Sequence, residues 1–147
     1  MPTIIPDFVY SLFAALIVGV ILVSCCSAAT SAIRVDADKQ QLRNIDEYVA
    51  AQSLTMLSHG GNINQTFTQY LDLPSEIGNQ RFWIRLTHDS STTWVESGFG
   101  GEVLSSEIKV DVPATLTASG SFVSGSGRAL LQCHIENGVA SLTLTQE

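Results

Sequence analysis

The chain has 147 residues, with seven Lys+Arg against fourteen Asp+Glu and a formal net charge of -7. That length suits one domain with an appendage and is too short for two ordinary domains; the acidic balance excludes a phosphate-backbone binder, which needs a basic face to displace counterions. Hydrophobic residues at 45% exclude a disordered polymer, and three Cys are too few for a disulfide framework.

A sequence pI near 4.7 beside a mean hydropathy of +0.23 means that the apolar residues are concentrated in one place. They sit at the front, where residues 8–33 read FVYSLFAALIVGVILVSCCSAATSAI without a charge. At about 1.5 Å per residue this makes roughly 39 Å of helix, more than the ~30 Å hydrocarbon core of a bilayer requires. A membrane-spanning helix is predicted, with Pro6 tolerated in its first turn. The run is too long, and MPTIIPD too poor in Lys and Arg, for a cleaved secretory signal. Leu22-Val23-Ser24-Cys25 fits the lipobox pattern with Cys25 as lipid acceptor; the alternative is two small thiols, Cys25 and Cys26, packed in a helix.

All seven basic residues follow the run, starting with Arg34, Lys39 and Arg43, whereas Asp7 and the amino terminus precede it. The positive-inside rule then places the remainder in the cytoplasm. That conflicts with the extracellular character of an acidic, Ser/Thr/Gly-rich, sequon-bearing domain. A basic leader removed from in front of Met1 reconciles the two. Asp7 itself either rests in the headgroup region at the positive end of the helix dipole, or pairs with a neighbouring chain's amino terminus and sets the axial register of stacked helices.

The helix is expected to continue past the apolar run, because residues 33–57 contain neither Pro nor Gly. Leu42, Ile45, Val49, Met56 and Leu57 keep to one stripe, widened by Tyr48 and Ala50. Arg34 with Asp38, and Lys39 and Arg43 with acids including Asp46 and Glu47, read as surface pairs. His59-Gly60-Gly61-Asn62 ends the helix, glycine supplying a left-handed cap. One helix from about Pro6 to Ser58 is about 80 Å long at the standard rise. The chain thus divides into a helix over 1–58, apolar over 8–33 and amphipathic over 34–57, and a β-rich domain over 59–147.

In that domain the apolar period shortens to two. Strands are predicted at Thr66–Leu71, Arg81–Thr87, Thr93–Glu96, Glu107–Val112, Leu116–Ser119, Ala129–Glu136 and Ala140–Thr145. Phe82, Ile84 and Leu86 share one face, with Trp83 and Arg85 on the other. Asn137-Gly138 marks a tight hairpin between the last two strands. Leu73-Pro74 with Gly78, residues 98–101 and residues 120–127 read as loops. The fold class is α+β: a long N-terminal hydrophobic helix followed by an antiparallel, sandwich-like β domain.

Catalytic chemistry finds little support. His59, His88 and His134 lie far apart, and no CxxC or HExxH spacing occurs. His88-Asp89-Ser90 holds three triad residue types, but neighbours in a turn cannot easily aim at one another. The glycine runs lack the Lys and following helix of a phosphate loop. Asp36 and Asp38 face different sides of a helix. No catalytic residue, metal site or cofactor is expected. Asn64-Gln65-Thr66 is the single N-glycosylation sequon, so Asn64 is the candidate glycan carrier, and Cys133 reads as a small buried hydrophobe.

A short polar start (MPTIIPD), an apolar helix over 8–33 continued by an amphipathic half to Leu57, and a compact β domain together resemble the type IV pilin superfamily. The sequon and the lack of a disulfide pair resemble its archaeal branch, including adhesion pilins and archaellum-related subunits. No basic-residue–Gly cleavage site precedes the apolar run, and Asp7 stands where bacterial pilins carry Glu. The resemblance implies a lollipop-shaped structural subunit of an extracellular filament, with roles in adhesion or surface attachment. Its partners would be copies of itself in a helical homopolymer, the membrane before assembly, a prepilin peptidase and an assembly machinery. Filament-core residues would be Phe8, Leu12, Phe13, Leu16, Gly19, Val20, Val23 and Ala28, with small residues permitting close helix approach. The alternatives are a single-pass membrane-anchored scaffold or binding protein of the archaellum-stator kind, and a lipoprotein modified at Cys25.

Overall fold

A computed structural model of the protein describes residues 4–59, 64–101, 106, 108–113, 116–136 and 138–147, with side chains of the first helix from residue 8 onward. Helix α1, Ile4–His59, is followed by seven strands: β1 Gln65–Leu71, β2 Phe82–Asp89, β3 Thr92–Phe99, β4 Ile108–Val112, β5 Thr117–Val123, β6 Ala129–Glu136 and β7 Val139–Gln146. The chain forms two compact units, one ending at Ala37 and the other spanning Asp38–Glu147.

In the first unit every described side chain from Phe8 to Ala37 is exposed. Several hydroxyls bond to carbonyls of their own helix, which suits a helix in an apolar medium. Ser24 Oγ donates to the Val20 carbonyl at 2.8 Å, Thr30 Oγ1 to that of Cys26 at 2.8 Å and Ser31 Oγ to that of Ser27 at 2.9 Å.

The second unit is the hydrophobic core. Its part of α1 buries Leu42, Ile45, Val49, Ala50 and Met56, at the three- and four-residue spacing that keeps one helical face. Against them lie Phe82, Ile84 and Leu86 of β2, Val95 of β3, Phe122 of β5, Leu131, Cys133 and Ile135 of β6, and Leu142 and Leu144 of β7. Phe82 and Phe122 meet edge to face with centroids 6.4 Å apart.

The sheet runs β1-β6-β7-β5-β2-β3-β4. The helix-then-sheet order and all seven expected strands are present, and the expected sandwich-like arrangement takes the form of a single hydrogen-bonded sheet. Pairing is antiparallel except between β5 and β7. That exception follows from connectivity: β6 runs beyond β7 and returns as its hairpin partner, so β5 and β7, both reversed relative to β6, point the same way. β5 also changes partner along its length. Residues 117–120 pair with β7, and residues 121–123 pair with β2. Gly120 sits at the change with φ +110°, which an L side chain rarely adopts. Beyond it β2 and β5 diverge, leaving a groove of about 570 Å³ lined by Thr87, His88, Ser119 and Ser121.

A tight turn lies at Ile77–Gln80, whose backbone groups exchange two hydrogen bonds of 2.9 Å around Gly78 and Asn79. Both central residues have positive φ, 55° and 72°, the geometry of a two-residue hairpin loop. Gly78 lies against the Asp38 carboxylate so closely that a methyl group there would overlap it. The expected glycine cap at 60–61 and the asparagine of the 137–138 turn lie outside the described residues.

Candidate functional sites

The first candidate surface is the apolar run itself. Phe8, Leu12, Phe13, Leu16, Val20 and Val23 are exposed by 50–68% of their surface, and Gly19 has open space around it. Exposed aliphatic and aromatic residues on this scale far exceed the patches that a monomeric soluble protein carries. Ala28 is exposed on the same helix. The side chain of Asp7 lies outside the described residues. This one helix is long and apolar enough to cross a membrane, with a mean hydropathy of 2.6 over its most apolar window. Cys25 and Cys26 are both exposed free thiols on it.

The second candidate surface is the face of β2–β3–β4 turned away from α1. Strand pleating puts Trp83, Arg85 and Thr87 of β2 there, opposite Gly98, Glu96 and Trp94 of β3 and, beyond these, Lys109 of β4. Trp83 shares the face of Arg85, as the alternation indicated, and is fully buried there. Gly98 makes room for it: a Cβ there would come within 2.8 Å of the indole. Arg85 lies over the Trp83 ring at 5.7 Å and Lys109 over the Trp94 ring at 3.7 Å, both in cation–π range.

Arg85 also binds the Glu96 carboxylate, which accepts a second hydrogen bond from Thr87 Oγ1 at 3.0 Å. Burial works against the charged Glu96, but the hydrogen bonds from Arg85 and Thr87 and the Arg85 charge outweigh it, holding this carboxyl below its ordinary value of 4.5. A depressed carboxylate stabilises the fold above its unfolded pKa, and that contribution is lost as pH falls through the folded one. Glu96→Gln is therefore expected to lower stability at pH 7 by about 1–2 kcal/mol, the worth of charge-assisted hydrogen bonds at a half-exposed partner. In urea titrations the gap from wild type should close below pH 4; a gap independent of pH would show that the Glu96 charge is not what matters.

Two smaller clusters lie on β1. Thr66 Oγ1 and His134 Nδ1 are 2.9 Å apart, and His134 Nε2 is 3.6 Å from Glu136. Asn64, the expected sequon asparagine, is exposed immediately before this strand. The Tyr70 hydroxyl donates to Glu147 Oε2 at 2.6 Å, and Arg128 stacks on the Tyr70 ring at 4.6 Å, tying the C-terminal residue to β1. The Glu147 hydrogen bond and charge raise the phenol above its ordinary value.

His59, His88 and His134 are not brought together, and among the described residues no three His, Cys, Asp or Glu side chains are grouped to hold a metal. Ser90 donates its backbone N–H to Asp89 Oδ1 at 2.7 Å, and its hydroxyl donates to the same atom at 3.3 Å, so this segment is a β2–β3 turn. Cys133 is fully buried, and that burial pushes its thiol up.

Asp46 departs from its expected place. It is fully buried beneath the sheet, while Glu47 alone takes the Arg43 pair, at 3.2 Å. Ser97 Oγ of β3 donates to Asp46 Oδ2 at 2.6 Å, and Asp46 Oδ1 has no hydrogen-bond partner. Burial, reinforced by the Glu47 charge and opposed by the Ser97 hydrogen bond, pushes this carboxyl up to about 7. The helical stripe carried the signal: position 46 is four residues after Leu42 and three before Val49. No protein-family description, curated protein or solved structure matches the chain.

Proposed function

We propose that the chain is a structural subunit of an extracellular filament of the type IV pilus kind, polymerising through the apolar half of α1. The observation that carries this reading is the unbroken exposure of a charge-free, largely apolar run from Phe8 to Ile33 on one helix. Such a surface must be covered by lipid or by other apolar helices. Exposing about 1,000 Å² of it to water would cost about 25 kcal/mol, so the run stays covered at every stage; lipid and apolar helices cover it alike, so transfer from membrane to filament core draws on close helix packing, not on this term. Small residues along the run, Ala14, Ala15, Gly19, Ser24, Ala28 and Ala29, let neighbouring helices approach closely. The β domains, which hold most of the acidic residues, would form the outer sheath and carry adhesion, with Asn64 as a glycan position. In this reading the role is structural, not enzymatic, and involves no cofactor.

The second reading is a membrane-anchored β-domain scaffold or binding protein, which the length and hydropathy of the same helix support equally. Its lipoprotein variant rests on the exposure of Cys25. Negative-stain imaging of the native surface fraction separates them. A filament subunit gives long fibres with a helical repeat that antibody to the β domain decorates, whereas an anchored protein purifies as discrete detergent particles. An intact mass matching an unmodified Cys25 eliminates the lipoprotein.

A further inference from the structure

The fold contains one acid that ordinary packing does not explain. Asp46 reaches the inward face of the sheet from α1, where its carboxyl has a single donor, Ser97, and a second oxygen with none. Ser97 is itself fully buried. A buried carboxylate keeps its charge only when several donors or a cation replace its lost hydration. Among the described residues no cation does so. From α1 the charge acting on Asp46 is that of Glu47, which is also negative. From β2 and β3, Arg85 and Glu96 project from the opposite face; from β4, Lys109 and Asp111 alternate onto that face too. The buried inward residues of β1, β5, β6 and β7 are uncharged: Leu71, Ala118, Phe122, Leu131, Cys133, Ile135, Leu142 and Leu144. A neutral carboxylic acid fits this setting better than a carboxylate, because one donated hydrogen bond from Ser97 does not replace the hydration that burial removes.

We propose that the burial of Asp46 against Ser97 is a proton-gated latch between α1 and β3, closed when the Asp46 carboxyl is neutral and loosened when it ionises, because the one hydrogen bond from Ser97 does not repay burial of the charge. Folding then binds a proton that the unfolded chain has already released. The latch contributes fully below the unfolded value of 3.8, weakens steadily as pH rises from there through about 7, and changes no further above it. Glu96 acts with the opposite sign, losing its contribution as pH falls below 4.5, so the β domain grips its helix most firmly in acid, where the two windows meet. This inference concerns the Asp38–Glu147 unit alone and stands whether or not the chain polymerises.

The test is urea unfolding of the full chain in detergent, followed by tryptophan fluorescence from pH 5 to pH 8, on wild type and Asp46→Asn. With the carboxyl at about 7 folded and 3.8 unfolded, the folded-to-unfolded ratio of wild type, taken relative to Asp46→Asn, should fall about a hundredfold across that range. Parallel curves for the two proteins would overturn the latch. Should Asp46→Asn fail to fold, carboxyl carbon NMR of the wild-type chain decides alone: a midpoint near neutrality supports the latch and one near 4 refutes it. In Ser97→Ala the midpoint should move higher, because the donor that favours the ionised form is gone; an unmoved midpoint would remove Ser97 from the latch.

Discussion

Val20→Arg is expected to abolish filaments while leaving the β domain folded. Val20 lies near the middle of the apolar run, 65% exposed, in the unit that ends at Ala37. An arginine at the centre of a membrane-spanning helix costs about 2.5–3.5 kcal/mol on insertion scales, part of which the side chain recovers by snorkelling to the interface. Inside a bundle of apolar helices it has no such escape. There the guanidinium is desolvated and unpaired, in every subunit of the polymer, at a cost of several kcal/mol per copy. Fibre yield in negative stain should fall at least tenfold, with near-UV circular dichroism of the β domain unchanged. Val20→Leu, which keeps the surface apolar, should retain fibres. Undiminished fibres from the arginine variant would show that this helix is not the filament core, and would leave the membrane-anchor reading standing.

The elements were legible in the sequence where a single physical pattern decided them. The charge-free run has only one stable backbone solution in an apolar medium, and β6, flanked by turn residues, was placed residue for residue at Ala129–Glu136. Legibility failed where tertiary contacts set the answer. Residues 120–123 were read as part of a glycine/serine turn, whereas β5 continues through them to Val123 and buries Phe122. The glycine there serves a close approach to β7, which no local pattern reveals. Alternation placed Trp83 on the face opposite Phe82, Ile84 and Leu86, as found, but its burial there depends on a glycine across the strand pair. Asp46 was assigned to a surface ion pair because acids usually stay in water. Its helical position contradicted that assignment, and position proved the better guide. The exposed apolar run on α1 was legible from its composition, which leaves a charge-free stretch of this length no soluble core of its own to enter.

Gly120→Ala is expected to be the most damaging single substitution in the β domain. Gly120 pairs with Leu144 across the parallel β5–β7 contact, and a Cβ there would overlap the Leu144 carbonyl. That oxygen is backbone, held in a strand paired on its other side to Leu131, so it cannot swing away as a side chain would. The φ of +110° adds strain for any residue with a Cβ. Strain of about 1–3 kcal/mol and overpacking of a similar size give a loss of about 2–6 kcal/mol, centred near 4, a large share of a typical domain's total stability. At about 4 °C per kcal/mol, the thermal midpoint should drop by roughly 15 °C. Gly101→Ala provides the control: nothing lies within 4 Å of a Cβ at that position, so its midpoint should stay within a few degrees of wild type. If Gly120→Ala melts with the control, β5 must be able to shift away from β7. The consequence otherwise extends past one contact. Gly120 marks the point where β5 passes from β7 to β2, so its displacement separates the β1–β6–β7 side of the sheet from the β2–β3–β4 side, and the Ser97 that receives Asp46 belongs to the latter.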